Sequence, residues 1–149
     1  MAPRKITALA GMMAASVMTY SPPASAEPVE GAWAIQDLVL VIYHCQDFMC
    51  GRVAWVKDPH RRKQDCGRTI VWGLSASGPQ TWSDGSIYDT TDGNTYRLNA
   101  TLDPDGTLHA RIFRGIPLLG KTEILRRVNS RSQPGWCATA VVPAPHSGV

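Results

Sequence analysis

The chain lacks the signatures on which common active sites are built. No Gly-x-Ser-x-Gly, no His-Glu-x-x-His and no phosphate-cradling glycine loop occurs in its 149 residues. These absences exclude the hydrolase nucleophile elbow, the zinc-protease helix and the P-loop. Asp84, Asp89 and Asp92 could be paired with a base from His44, His60 or His109, but all three acids stand beside Gly or Thr in turn contexts. Asp is commonly a backbone hydrogen-bond acceptor there, so no catalytic residue and no cofactor is assigned and the chain is expected not to be an enzyme. Long apolar runs are also missing: the longest, residues 6–18, falls short of the ~20 residues that span a bilayer. No window beyond residue 26 places apolar side chains at helical spacing over ten or more residues, so the fold is expected to be nearly all β.

What the first 26 residues do contain is an address. Arg4 and Lys5 precede the apolar stretch, and Ala24-Ser25-Ala26 forms a small-x-small cleavage site, the pattern of a secretory signal peptide cut after Ala26. Glu27 rather than Cys follows the cut, so no lipid anchor is expected. Cleavage would leave 123 residues and remove two bases but no acid, taking the net charge from +3 to +1. A near-neutral chain is a poor candidate for nucleic acid or an anionic membrane, and no stable membrane insertion is expected.

The four cysteines, Cys45, Cys50, Cys66 and Cys137, all follow the leader. An even number in an exported chain favours two disulfides. If residues 43–44 and 51–53 are hairpin arms, Gln46 to Met49 is a four-residue loop with Cys45 and Cys50 facing each other at its base. Cys66 then pairs with Cys137, tethering a Ser-, Pro- and Ala-rich tail, residues 129–149, that is otherwise expected to be disordered. A zinc site would need Cys45, Cys50, His60 and Cys66, whose spacings are not the tight pairs of structural zinc, so no metal is assigned.

Strands are marked by alternation and turns. Thr95–Leu102 places Tyr96, Leu98, Ala100 and Leu102 on one face, and Asp103-Pro104-Asp105-Gly106 then turns the chain into residues 107–114. Gly31–Ile35 and residues 38–44, 51–56, 69–74, 86–88 and 122–127, with a strand around Trp82, bring the number to about eight. Eight consecutive antiparallel strands predict a small up-and-down barrel, which removes sheet edges. Residues 57–68, with the basic cluster His60-Arg61-Arg62-Lys63, are read as a solvated loop. Leu38 to Tyr43 is apolar on both faces, so its outer face must be covered by the tail, a loop or a partner chain, the last giving a homodimer.

Gly31-Ala32-Trp33 on the first strand resembles the Gly-x-Trp signature of lipocalins, whose Trp closes the barrel base against an Arg of the last strand. Arg126 or Arg127 would fill that role by a cation-π contact. Together with Cys50-Gly51-Arg52 running into Trp55, Trp82-x-x-Gly85-x-Ile87-Tyr88-Asp89, Gly93-x-x-Tyr96, and Arg114-Gly115 through Gly120 to the final Arg, the chain resembles the bacterial family called domain of unknown function 2147. The resemblance spans residues 31–127 and implies an exported, periplasmic or secreted, lipocalin-like barrel with no established activity. The chain departs from that family at Asp89-Thr90, at Ile124-Leu125 and at Cys66-Gly67.

Aromatic residues on strands are the candidates for binding: Tyr43, Trp55, Trp72, Trp82, Tyr88 and Tyr96. Some would line a barrel interior and close over a small apolar or amphipathic ligand. The alternative is a non-enzymatic envelope interaction or scaffold module, with a barrel filled by its own side chains and an exposed apolar strand such as Leu38 to Tyr43 for docking.

Overall fold

The structure is a computed structural model and describes residues 27–129 and 134–138; the expected leader and most of the tail lie outside the described residues. Eight strands run in chain order: β1 Gly31–Ile35, β2 Leu38–Cys45, β3 Phe48–Val56, β4 Thr69–Gly78, β5 Thr81–Tyr88, β6 Thr95–Leu102, β7 Leu108–Phe113 and β8 Lys121–Arg127. Each pairs antiparallel with the next, and β8 returns to β1 through Trp33 opposite Arg127 and Ala34 opposite Arg126. The result is a closed barrel with no free edge.

Three local expectations are corrected. Residues 59–65, read as loop, form a helix, α1 Pro59–Asp65. Asp58 caps it by accepting from the His60 N–H at 2.9 Å, and Pro59 occupies the first turn. Seven residues are too few to show apolar periodicity, so only the Asp-Pro pair signalled the helix. The β2–β3 loop is not four residues but two, Gln46 and Asp47, with Gln46 in left-handed backbone at φ 57. Cys45 therefore stands opposite Phe48 and Cys50 opposite Tyr43, and the Cys45–Cys50 bridge runs diagonally across the hairpin with Cα atoms 5.8 Å apart. Finally, β5 is one continuous strand through Trp82 and Tyr88, its register with β6 slipping between Trp82 and Gly85 where Asp84 takes φ 62. The β-bulge accommodates the polar Ser83-Asp84 pair that made the strand look broken.

Inside the barrel, Trp33, Leu40, Val53, Leu74, Trp82 and Leu108 are essentially inaccessible and form the core. A second apolar cluster lies outside the barrel wall. Ala32, Val39, Val41 and Ala54 turn outward and are buried beneath Cys137, with Trp55, Cys66, Val128 and Trp136 packed around them. The Cys66–Cys137 disulfide holds this segment, the Cys137 N–H donates to the Ala54 carbonyl at 2.7 Å, and Trp55 Nε1 donates to the Pro134 carbonyl at 3.1 Å. The chain's own tail thus covers the outer face of β2.

Candidate functional site

The two ends of the barrel differ. At the base, Trp33 is fully buried and its Nε1 donates to the Val29 carbonyl at 2.8 Å. The Arg127 guanidinium lies over the indole, 4.2 Å from its centroid, and donates to the carbonyls of Glu30 and Pro28 at 2.8 and 2.7 Å. Partial burial lowers the Arg127 pKa from its ordinary value, the expected cost of drawing a cation out of water. Gly31 makes room for this plug: its φ is +121, and a Cβ there would meet Arg127 Nη1 at 2.7 Å. Arg126 points outward and is exposed, so Arg127 alone closes the base.

At the other end a cavity of about 150 Å³ opens between the β1–β2 turn, α1, the 89–94 loop and the start of β8. Leu40, Ile70, Ile87 and Ile112 form its apolar floor, with Ile35 and Leu38 on the wall. The rim is polar. Arg61, Asp89, Thr90, Lys121 and Glu123 border it beside Tyr88 and Tyr96. Most rim charges are already engaged: Arg61 donates to Thr90 and lies 2.8 Å from the buried Asp65 carboxylate, Lys121 pairs with Glu123 at 3.2 Å, and Asp89 accepts from the Thr91 N–H. The Arg61–Asp65 contact is close but poorly aligned for a hydrogen bond, so it is chiefly ionic.

Both tyrosines are fixed from outside by arginine, Tyr88 under Arg68 at 4.3 Å and Tyr96 under Arg114 at 4.7 Å. Tyr96 also donates its hydroxyl to Asp92. That bond, with the Asn94 N–H, lowers the Asp92 pKa, and the same bond raises that of Tyr96. Because the folded-state pKa of Asp92 is depressed, its contribution to holding the 89–94 loop is present above the ordinary carboxylate value and is lost as pH falls through the depressed one. NMR titration of the Tyr96 ring is expected to show a shift in that acidic window, and Asp92→Asn is expected to abolish it.

Of the six aromatic candidates, the structure brings Tyr88 and Tyr96 to the cavity. Trp82 is inside the barrel at 2% exposure but lower down, its Nε1 without a partner among the described groups. The other three lie on the outer wall. Tyr43 sits under Arg52 and shares a hydrogen bond with Thr69, Trp55 packs beneath the tail, and Trp72 is exposed. Bulges turn two of them outward. The β2–β3 register slips between Val39 and Leu40, so that Trp55 stands opposite outward Val39. The β3–β4 register slips between Gly51 and Arg52, so that Val71 rather than Trp72 opposes inward Ile87. The aliphatic floor residues carried a signal in their strands' apolar alternation; Arg61 and Lys121 carried none, because α1 and the β7–β8 loop bring them to the rim.

The four cysteines are consumed in two disulfides, which removes the zinc arrangement. Comparison with known proteins agrees with the barrel. Residues 31–127 match the family described as "Uncharacterized protein conserved in bacteria (DUF2147)". The chain belongs to this family. Among solved structures it is similar to protein HP1028 from the human pathogen Helicobacter pylori, which is described as belonging to the lipocalin family, with a TM-score of 0.56 and 15% identity over 68% of this chain and 83% of that one. At that identity the likeness establishes a shared fold. No curated protein matches the chain. Membership of a bacterial family and the two disulfides fit an exported protein, and among the described residues no helix is long and apolar enough to cross a membrane.

Proposed function

We propose that this DUF2147 protein is an exported, non-catalytic barrel that holds one small, largely apolar group at its mouth. The observation that carries this reading is the cavity itself: an aliphatic floor, a polar rim and one end plugged by Trp33 and Arg127. Its size narrows the ligand. An apolar void of roughly 150 Å³ elsewhere accepts a benzene-sized guest, whereas drug-sized ligands use ~300–1,000 Å³. A single ring or a short branched chain with a polar end facing the rim fits; a long acyl chain does not, because Trp82, Leu74 and Trp33 fill the lower barrel. Export is supported by residues 1–26, with their basic start, apolar run and Ala24-Ser25-Ala26.

The test is intact mass spectrometry of protein recovered from its exported compartment, under non-denaturing and then denaturing conditions. The expected polypeptide begins at Glu27 and carries a discrete extra mass that disappears on denaturation. Ile87→Trp, which fills the floor, is expected to lose that extra mass while keeping the barrel's circular dichroism. A bare polypeptide from the wild-type chain would sink the carrier reading. The scaffold alternative assigned docking to the outer face of β2, and the tail already occupies that face.

A further inference from the structure

The β7–β8 connection, Arg114 to Gly120, presents an apolar tip that the barrel does not use. Leu118 and Leu119 are 81% and 78% exposed and Ile116 is 54% exposed, with Ile124 on the outer face of β8 at 53%. The tip is not collapsed onto the barrel wall, and it is held out by bonds. Arg111 donates to the carbonyls of Pro117 and Leu118 at 2.7 and 3.0 Å and to Thr122 at 3.0 Å, while Gly120 packs so closely on Ile112 and Phe113 that a Cβ would lie 2.4 Å from the Ile112 carbonyl oxygen. A braced, convex, apolar loop costs solubility, which makes its exposure informative.

We propose that this tip docks the mouth of the barrel on an anionic lipid surface, inserting Leu118 and Leu119 shallowly at the headgroup boundary. Two observations favour lipid over protein. Four aliphatic side chains on a protruding turn fall well short of the ~800 Å² per partner that a stable protein interface buries, yet they suit reversible interfacial binding. The charge distribution has the matching sign. Arg111, Arg114 and Lys121 flank the tip against Glu123, while on the rest of the mouth Asp37, Asp58, Asp89 and Asp92 offset Lys57, Arg62, Lys63 and Arg68. The opposite end carries Glu27, Glu30, Asp47, Asp103 and Asp105 against Arg126 and Arg127. The near-neutral total hides a barrel with an acidic base and bases beside its apolar tip, which orients the mouth toward anionic headgroups. Lys121 also borders the cavity, so docking would place the mouth beside the bilayer. The inference stands whether or not the cavity holds a ligand.

The experiment is vesicle flotation of protein recovered after export, its N-terminus read by intact mass so that residues 6–18 are accounted for. Vesicles of phosphatidylcholine alone are compared with equal parts phosphatidylcholine and phosphatidylglycerol, at low and high salt. Binding to the mixed vesicles, weakened by salt and reduced at least ten-fold by Leu118→Ser with Leu119→Ser, is the expected result. The melting temperature of that variant should be unchanged, since both side chains are exposed. In a second variant, Leu119→Trp, the tryptophan emission gained over the wild-type chain should shift to the blue on the mixed vesicles. Absence of binding by the wild-type chain, equal binding by the double variant, or an unshifted added emission in Leu119→Trp overturns the proposal. So does a concentration-dependent oligomer that the double substitution dissolves without any vesicle binding, which would make the tip a protein interface.

Discussion

Replacing Cys66 and Cys137 together by Ser is expected to lower stability by at least about 4 kcal/mol, because the bridge closes a loop with a sequence separation of 71. For a domain of this size that corresponds to a fall in melting temperature of roughly 15–20 °C. The loss should exceed the loop-closure value, since the same bridge seats Cys137 and Trp136 on Ala32, Val39, Val41 and Ala54. Freed of its anchor, the tail would leave an apolar strip on the outer wall, so the variant is also expected to bind a hydrophobic dye and to self-associate. The Cys45–Cys50 bridge provides the control. It spans a separation of 5 and covers no apolar strip, so its removal should cost about 2 kcal/mol and leave dye binding unchanged. Thermal melts of the two double-Ser variants with dye titration check both statements, and equal losses would show that the tail packing contributes nothing.

The second large effect is expected at the base. Trp33→Ala should cost about 3–5 kcal/mol, the range for truncating a fully buried aromatic residue, and would also remove the only indole donor to the Val29 carbonyl among the described groups. Stability of a domain is ~5–15 kcal/mol, so this variant is expected to be partly unfolded at 37 °C. Arg127→Ala should cost less, about 2 kcal/mol, because its guanidinium is only partly buried, although two carbonyls lose their donor. A double-mutant cycle in urea with Trp33→Phe and Arg127→Met should return a coupling of about 1 kcal/mol if the ring and the guanidinium act as a stacked pair. A coupling near zero would assign Arg127 to backbone capping alone.

The barrel was legible in the sequence because its determinants are local. Alternation in Thr95–Leu102, the Asp-Pro-Asp-Gly turn and the spacing of the other strands require only nearest neighbours and a two-residue period. The cysteine pairing was legible for the same reason, since a hairpin brings Cys45 and Cys50 within reach and leaves one partner for Cys66. The direction in which each aromatic residue points was less accessible. On β2, Leu38, Leu40 and Ile42 alternate with Val39, Val41 and Tyr43, and both sets are apolar, so the strand itself does not say which faces inward. The answer depends on Cys137, which seals the outer set although it lies far along the chain.

Trp55 and Trp72 illustrate the other limit. Strict alternation puts Trp55 with inward Val53 and Trp72 with inward Ile70 and Leu74, but one extra residue in a bulge reverses the parity of everything beyond it. Bulges arise from the twist needed to close eight strands, a property of the whole barrel. The sequence by itself determined the strands, their order, the disulfide framework, the Gly31–Trp33 plug and the expected leader, all of which follow from local spacing. Only the tertiary structure decided which side chains face the cavity, how Arg61 and Lys121 come to its rim, and that bases flank an exposed apolar tip while acids gather at the base. Those features depend on closure of the sheet, which brings together residues that no local pattern connects.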